Sequence, residues 1–143
     1  MTSTEQSSSR TVLVTGSTSG IGAANAAALA AEGWHVVITG RDTARGEAVV
    51  SGIEEHGGRA VFVPSDLTAA TDALRAFAST ATRAVGGQLD AVVHNAVLCP
   101  PVDTITLTDG DLGATLAVNI RAPHVLTAAL APRCSSAVMA RSW

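Results

Sequence analysis

The stretch Thr15-Gly16-Ser17-Thr18-Ser19-Gly20-Ile21-Gly22 follows the apolar, β-branched run Thr11-Val12-Leu13-Val14 and opens directly into an alanine-rich segment over residues 23–31. A buried strand, a glycine-rich turn and a strong helix former thus stand in immediate succession. Glycines let a backbone turn sharply and approach a pyrophosphate closely. A helix N-terminus adds unpaired N–H groups and the positive end of its dipole. Taken alone, the turn is equally a tight strand-to-helix connection that binds nothing. Three later strand ends move the balance towards a nucleotide site.

From Thr11 onwards, short apolar runs alternate with helical stretches. The pattern predicts strands at Val12–Thr15, Trp34–Thr39, Ala60–Val63 and Leu89–His94. Helices are predicted over Gly20–Glu32, Asp42–His56, from Asp66 or Thr68 as cap to about Val85, and as one long element from near Asp109 to about Leu130. Gly33, Gly57-Gly58 and Gly86-Gly87 stop the first three helices. Strand–helix alternation with short connections implies right-handed crossovers and a parallel sheet covered on both faces, an α/β doubly wound architecture.

The 143 residues bound the chain to one domain: a polar, disordered leader at 1–10 followed by a single unit at 11–143. Apolar residues at 47% against 15% charged describe a composition that packs a core, and only 3% aromatics mean the core is built from Ala, Val, Leu and Ile. A net charge of −3 gives no electrostatic reason to expect nucleic acid or an anionic membrane. No apolar window approaches a membrane span, and the leader lacks the apolar region of a signal peptide, so the cytoplasm is expected. Cys99 and Cys134 are isolated, without metal-ligand spacing, and read as reduced thiols, although a pairing is open. No metal site is expected. The chain contains no tyrosine, and all nine of its basic residues are arginine. The missing lysine excludes a P-loop phosphotransferase.

The second strand ends in Thr39-Gly40-Arg41-Asp42, where a dinucleotide fold meets the adenosine ribose. A carboxylate at this place accepts from the 2′-OH of NAD, whereas an arginine accommodates the 2′-phosphate of NADP. Gly40 leaves room and Arg41 offers a planar fork, which favours NADP over NAD. The competing reading is a solvated arginine paired with Asp42 or Glu47. After the third strand, Asp66 is placed to accept from an adenine amino group with Leu67 against the ring, or else it caps the next helix. The fourth strand runs into His94-Asn95-Ala96-Val97, which puts Asn95 and Ala96 on the ligand-binding edge. His94, with no nucleophile or metal ligand for company, reads as a structural histidine.

These strand ends together resemble the N-terminal part of a short-chain dehydrogenase/reductase. The resemblance rests on the TGxxxGxG turn (Thr15, Gly16, Gly20, Gly22), Arg41 after strand two, Asp66-Leu67 after strand three, and a variant of the family's Asn-Asn-Ala-Gly segment at His94–Val97. It implies a Rossmann-type sheet and a cofactor site drawn from Gly16 to Gly22, Arg41, Asp66, Leu67, Asn95 and Ala96. It also implies hydride transfer between NADP(H) and a small carbonyl or alcohol. Asn119 resembles the family's helical asparagine that holds a water in a proton relay, and Ser142 falls where a catalytic serine is expected, at a shorter interval from Asn119.

The same resemblance implies a tyrosine four residues before a lysine, the lysine helping to depress the phenol's pKa from near 10. Neither residue type is present, so the chain is expected to be catalytically silent. It reads as a truncated or frameshifted member whose sheet is incomplete on its C-terminal side. A silent dinucleotide-binding module and a damaged-gene product are the alternatives. Complete relatives are expected to be homo-oligomers, and an exposed fourth-strand edge makes this chain aggregation-prone. Val97 in place of glycine is expected to resist a positive φ.

Overall fold

The computed structural model describes residues 9–133. Four strands, β1 (Thr11–Val14), β2 (His35–Ile38), β3 (Arg59–Phe62) and β4 (Ala91–Val93), form one parallel sheet in the order β3-β2-β1-β4. Helices α1 (Gly20–Ala31), α2 (Thr43–Glu55) and α3 (Thr71–Ala84) connect them in turn. The chain therefore steps outward from β1 to β3 and then returns to the other side of β1. This reversal opens a crevice at the C-terminal ends of β1 and β4, where doubly wound folds bind ligands. The chain has a Rossmann-type fold, as the alternation of elements implied.

Alternation along the strands divides the core into two layers. Val12, Val14, Val36 and Ile38 pack with Ala26 and Ala30 of α1 and Ile53 of α2. Leu13 and Val37 face the other way, towards Leu74 and Phe77 of α3. Leu126 and Leu130, from a helix beyond β4, complete that second layer. Both faces of β1 are buried, so its residues read as a continuous apolar run. On α1 the buried positions are Gly22, Ala26 and Ala30, spaced four apart, and these small residues bring the helix close against the sheet.

Strand and helix ends fall within one or two residues of the expected ones, with two departures of substance. Neither Asp66 nor Thr68 caps α3; its N-cap is Ala70. The Asp66 carboxylate closes a turn of its own, accepting from the Thr68 N–H at 2.9 Å before the helix begins. The expected single helix after residue 109 is also interrupted. It resolves into α4 (Asp109–Leu116), a π turn (Ala117–Arg121) and α5 (Ala122–Leu130). The sequence holds the cause: Pro123 has no N–H to offer the carbonyl of Asn119 four residues earlier. An N–H···O bond from Ala122 to Ala117, one residue wider than the α-helical pattern, carries the chain past this gap.

Candidate cofactor-binding site

A cleft of about 490 Å³ opens at the C-terminal edge of the sheet, lined by residues from the loops after all four strands and by Val118 of the π turn. Its floor is the Thr15–Gly22 turn. Gly16 has φ +64°, and a Cβ there would lie 2.9 Å from the Ala96 Cα. A Cβ on Gly22 would overlap the Gly16 carbonyl oxygen and lie 2.5 Å from Asn95 Nδ2. These are close approaches, to the Ala96 and Gly16 backbone and to the Asn95 side chain, that only glycine permits. The turn is pinned from the β4 side: Thr15 Oγ1 accepts from the N–H groups of Asn95 and Ala96 at 3.0 and 3.1 Å. Asn95 Nδ2 donates to the carbonyls of Thr15 and Gly16 at 3.0 and 3.2 Å.

Ser19 is the N-cap of α1, in extended conformation, and its side chain makes no capping hydrogen bond. Among the described residues, none accepts from the N–H groups of Ser19, Gly20, Ile21 or Gly22. A row of unmatched donors thus meets the positive end of a 12-residue helix. The hydroxyl of Thr39, which also lines the cleft and is only 1% exposed, has no hydrogen-bond partner. Orphan donors and a buried hydroxyl on one cleft fit the phosphates and ribose of a dinucleotide.

Arg41 lines the cleft and forms no salt bridge with Asp42 or Glu47. Asp42 is engaged elsewhere, accepting from the Arg45 N–H at 3.0 Å as the N-cap of α2 and pairing with the Arg45 guanidinium at 3.4 Å. On the neighbouring loop, Asp66 Oδ1 accepts from both the hydroxyl and the N–H of Thr68, at 2.7 and 2.9 Å. Those bonds, with a smaller contribution from the Arg41 charge, hold its carboxyl below the ordinary aspartate range. Asp66 is therefore an acceptor, its second oxygen left for a ligand, and Leu67 lies beside it in the lining.

Ser17 does not line the cleft. Its side chain is fully buried, donating to the Val14 carbonyl at 2.7 Å and accepting from the Thr39 N–H at 3.0 Å, so it ties β1 to β2 instead. Thr18, Ser19, Gly20 and Ile21 do line it, with Ile21 75% exposed. Asn119 uses both ends of its amide on one residue: Oδ1 accepts from the Leu98 N–H at 2.8 Å and Nδ2 donates to the Leu98 carbonyl at 2.9 Å. Its side chain fixes the loop after β4. Ser142 lies outside the described residues. His94 is bonded to the Thr127 hydroxyl at 2.9 Å, and burial lowers its pKa although part of the ring reaches solvent. Val97 avoids the left-handed region, as does every non-glycine residue described.

Sequence reading passed over Thr39, Ser65, Thr68, Leu98 and Val118 as lining residues. Thr39 carried a signal, being the one hydroxyl at the end of an apolar strand. Val118 carried none, because its place depends on how the π turn packs.

A sequence model of the short chain dehydrogenase family matches residues 10–140. The chain belongs to this family. It is 39% identical over 110 residues to the 3β-hydroxysteroid dehydrogenase of Mediterraneibacter gnavus, covering 76% of this chain and 39% of that protein. Human dehydrogenase/reductase SDR family member 4 is 33% identical over 133 residues, covering 92% of this chain and 47% of the relative. Among solved structures, a Burkholderia cenocepacia short-chain dehydrogenase in complex with NADP superposes with a TM-score of 0.81 at 40% identity, covering 90% of this chain and 51% of that one. The chain spans less than half the length of these two curated relatives. No helix among the described residues is long and apolar enough to cross a membrane.

Proposed function

We propose that residues 11–143 form the dinucleotide-binding unit of an NADP(H)-dependent short-chain oxidoreductase, and that this polypeptide binds the cofactor without turning over substrate. The observation that carries the reading is Arg41: a guanidinium in no salt bridge among the described residues, on the same cleft as the unmatched N–H groups of α1. In this assignment the N–H groups of Ser19 to Gly22 hold the pyrophosphate and Arg41 holds the 2′-phosphate. Asp66 and Leu67 meet the adenine, and Asn95 and Ala96 border the nicotinamide end. Solved relatives that contain NADP support the choice of cofactor.

NADPH, when bound there, would supply a hydride for a carbonyl carbon. The proton that must accompany it has no donor here of the kind the family uses, because the sequence contains neither tyrosine nor lysine. What the chain's own residues do is bind and orient. Asn119 sets the loop after β4, and Asn95 sets the glycine turn. A small carbonyl or alcohol is the substrate class for a complete protein of this kind, and a free, exposed Cys99 fits a reducing cytoplasmic setting.

Thermal unfolding with and without NADPH tests the binding half. Ligand at a hundred times its Kd adds about 2.7 kcal/mol, a clear rise in midpoint. No rise at millimolar NADPH overturns it. Following NADPH absorbance with a panel of ketones and aldehydes tests the silent half: a flat trace is expected, and sustained consumption contradicts it.

A further inference from the structure

The π turn holds two separate loops of the cleft at once. Asn119 grips Leu98, on the loop after β4. Two residues on, Arg121 leaves the helix on about the opposite side, since successive helical residues turn by roughly 100°. Its Nη2 donates to the carbonyl of Thr68 at 2.7 Å and to that of Ala69 at 2.8 Å. Thr68 is the residue whose hydroxyl and N–H orient the Asp66 carboxylate. Arg121 therefore holds the carbonyl side of the segment whose donor side aims Asp66.

The Thr68–Ala69 end of that segment has few other anchors. The helix it leads into has no side-chain cap, and the Ala69 N–H reaches only the Asp66 carbonyl within the same turn, at 3.1 Å. Leu67 packs against the core layer that includes α3 and α5, and the Ser65 N–H just before it donates to the Gly40 carbonyl at 3.1 Å. The two charge-assisted bonds from a residue more than fifty positions away are therefore the long-range tie of the Thr68–Ala69 end. Fixing a loop before a ligand arrives removes an ordering cost from binding.

We propose that Arg121 is a positioning residue for the adenosine end of the cofactor, presetting the Asp66–Ala69 loop through the Thr68 and Ala69 carbonyls. The inference rests on the cofactor reading above. Because one nitrogen makes both bonds, a lysine ammonium can replace it where a methionine cannot.

The test compares the full chain with its Arg121→Met and Arg121→Lys variants. Two quantities are read: the Kd for adenosine 2′,5′-bisphosphate by calorimetry, and amide hydrogen exchange in the free protein. Arg121→Met is expected to weaken binding by about three- to tenfold and to speed exchange at residues 67–70, with β1 amides unchanged. Arg121→Lys is expected to recover most of both. Unaltered affinity and exchange in Arg121→Met overturn the proposal, and so does faster exchange throughout β1, which marks a general structural role. A lysine variant no better than the methionine one overturns the part given to the two hydrogen bonds. If the unaltered chain fails to bind the bisphosphate, the cofactor reading itself falls, a result separable from all of these.

Discussion

Along the wall of the cleft built from Thr15–Gly22 and Asn95–Ala96, backbone meets backbone with no space for an added carbon. Along the wall built from the loop after β4 and from α4 to α5, large apolar side chains turn to solvent: Val97 is 73% exposed, Leu116 51% and Ile120 64%. The first wall is determined by contacts within residues 11–96, where Gly16 meets Ala96 and Gly22 meets Gly16 and Asn95. The second is anchored by the buried side of α5 and by polar grips, Asn119 on Leu98 and Arg121 on Thr68, while the outward-facing Val97, Leu116 and Ile120 find no cover among the described residues. In the function proposed above, cofactor binding would draw on the first wall and substrate chemistry on the second.

Filling the tight wall gives the largest expected effect. Gly22→Ala forces apart the Gly16 carbonyl and the Asn95 amide, and is expected to cost about 1–3 kcal/mol in urea unfolding while abolishing measurable NADPH binding. A variant as stable and as tightly binding as the parent means the close approach is dispensable. Next comes Arg41→Ala, expected to weaken NADPH about ten- to a hundredfold, equivalent to roughly 1.5–3 kcal/mol for a charge-assisted contact, with NADH unaffected. Equal losses for both cofactors would remove Arg41 from the 2′-phosphate.

On the other wall, Asn119→Ala leaves the Leu98 N–H and carbonyl unpartnered, and a loss of about 1–2 kcal/mol is expected with faster exchange at the Leu98 amide. Unchanged exchange there contradicts the grip.

A smaller effect is expected from pH. Burial places the pKa of His94 below that of a free histidine, so the unfolded chain takes up its proton first as pH falls. Stability from this source is complete above about pH 6.5 and declines below it towards the folded-state pKa. His35, lowered by burial and by the Arg59 charge, acts in the same direction. His94→Gln is expected to flatten part of that decline; an identical slope between about pH 7 and 5 rules out His94 as a contributor. Least of all, Leu116→Gln is expected to change stability by under about 0.5 kcal/mol while raising solubility, because it replaces a side chain already in water.

The tight wall was largely legible in the sequence, since strand, glycine turn and helix follow one another without interruption and the period of each is clear. What local reading missed there was direction. Ser17 stands among cleft residues in the sequence, yet its hydroxyl faces β2, because the Val14 carbonyl and the Thr39 N–H need a partner inside the fold. The freedom of Arg41 was also undecidable from spacing, as it depends on Asp42 taking the cap of α2 and pairing with Arg45. On the other wall, Pro123 was in plain view, but its consequence, a π turn that aims Asn119 and Arg121 at different loops, needed the packed structure. Contacts spanning more than twenty residues, Asn119 to Leu98 among them, leave no periodic trace in the sequence.

The central claim is that this cleft is built for a dinucleotide carrying a 2′-phosphate. Calorimetric titration of the unaltered chain with NADPH and with NADH, at one salt concentration, tests it most directly. NADPH is expected to bind about ten- to a hundredfold more tightly. Equal affinities, tighter NADH, or no binding of either at millimolar concentration would contradict it.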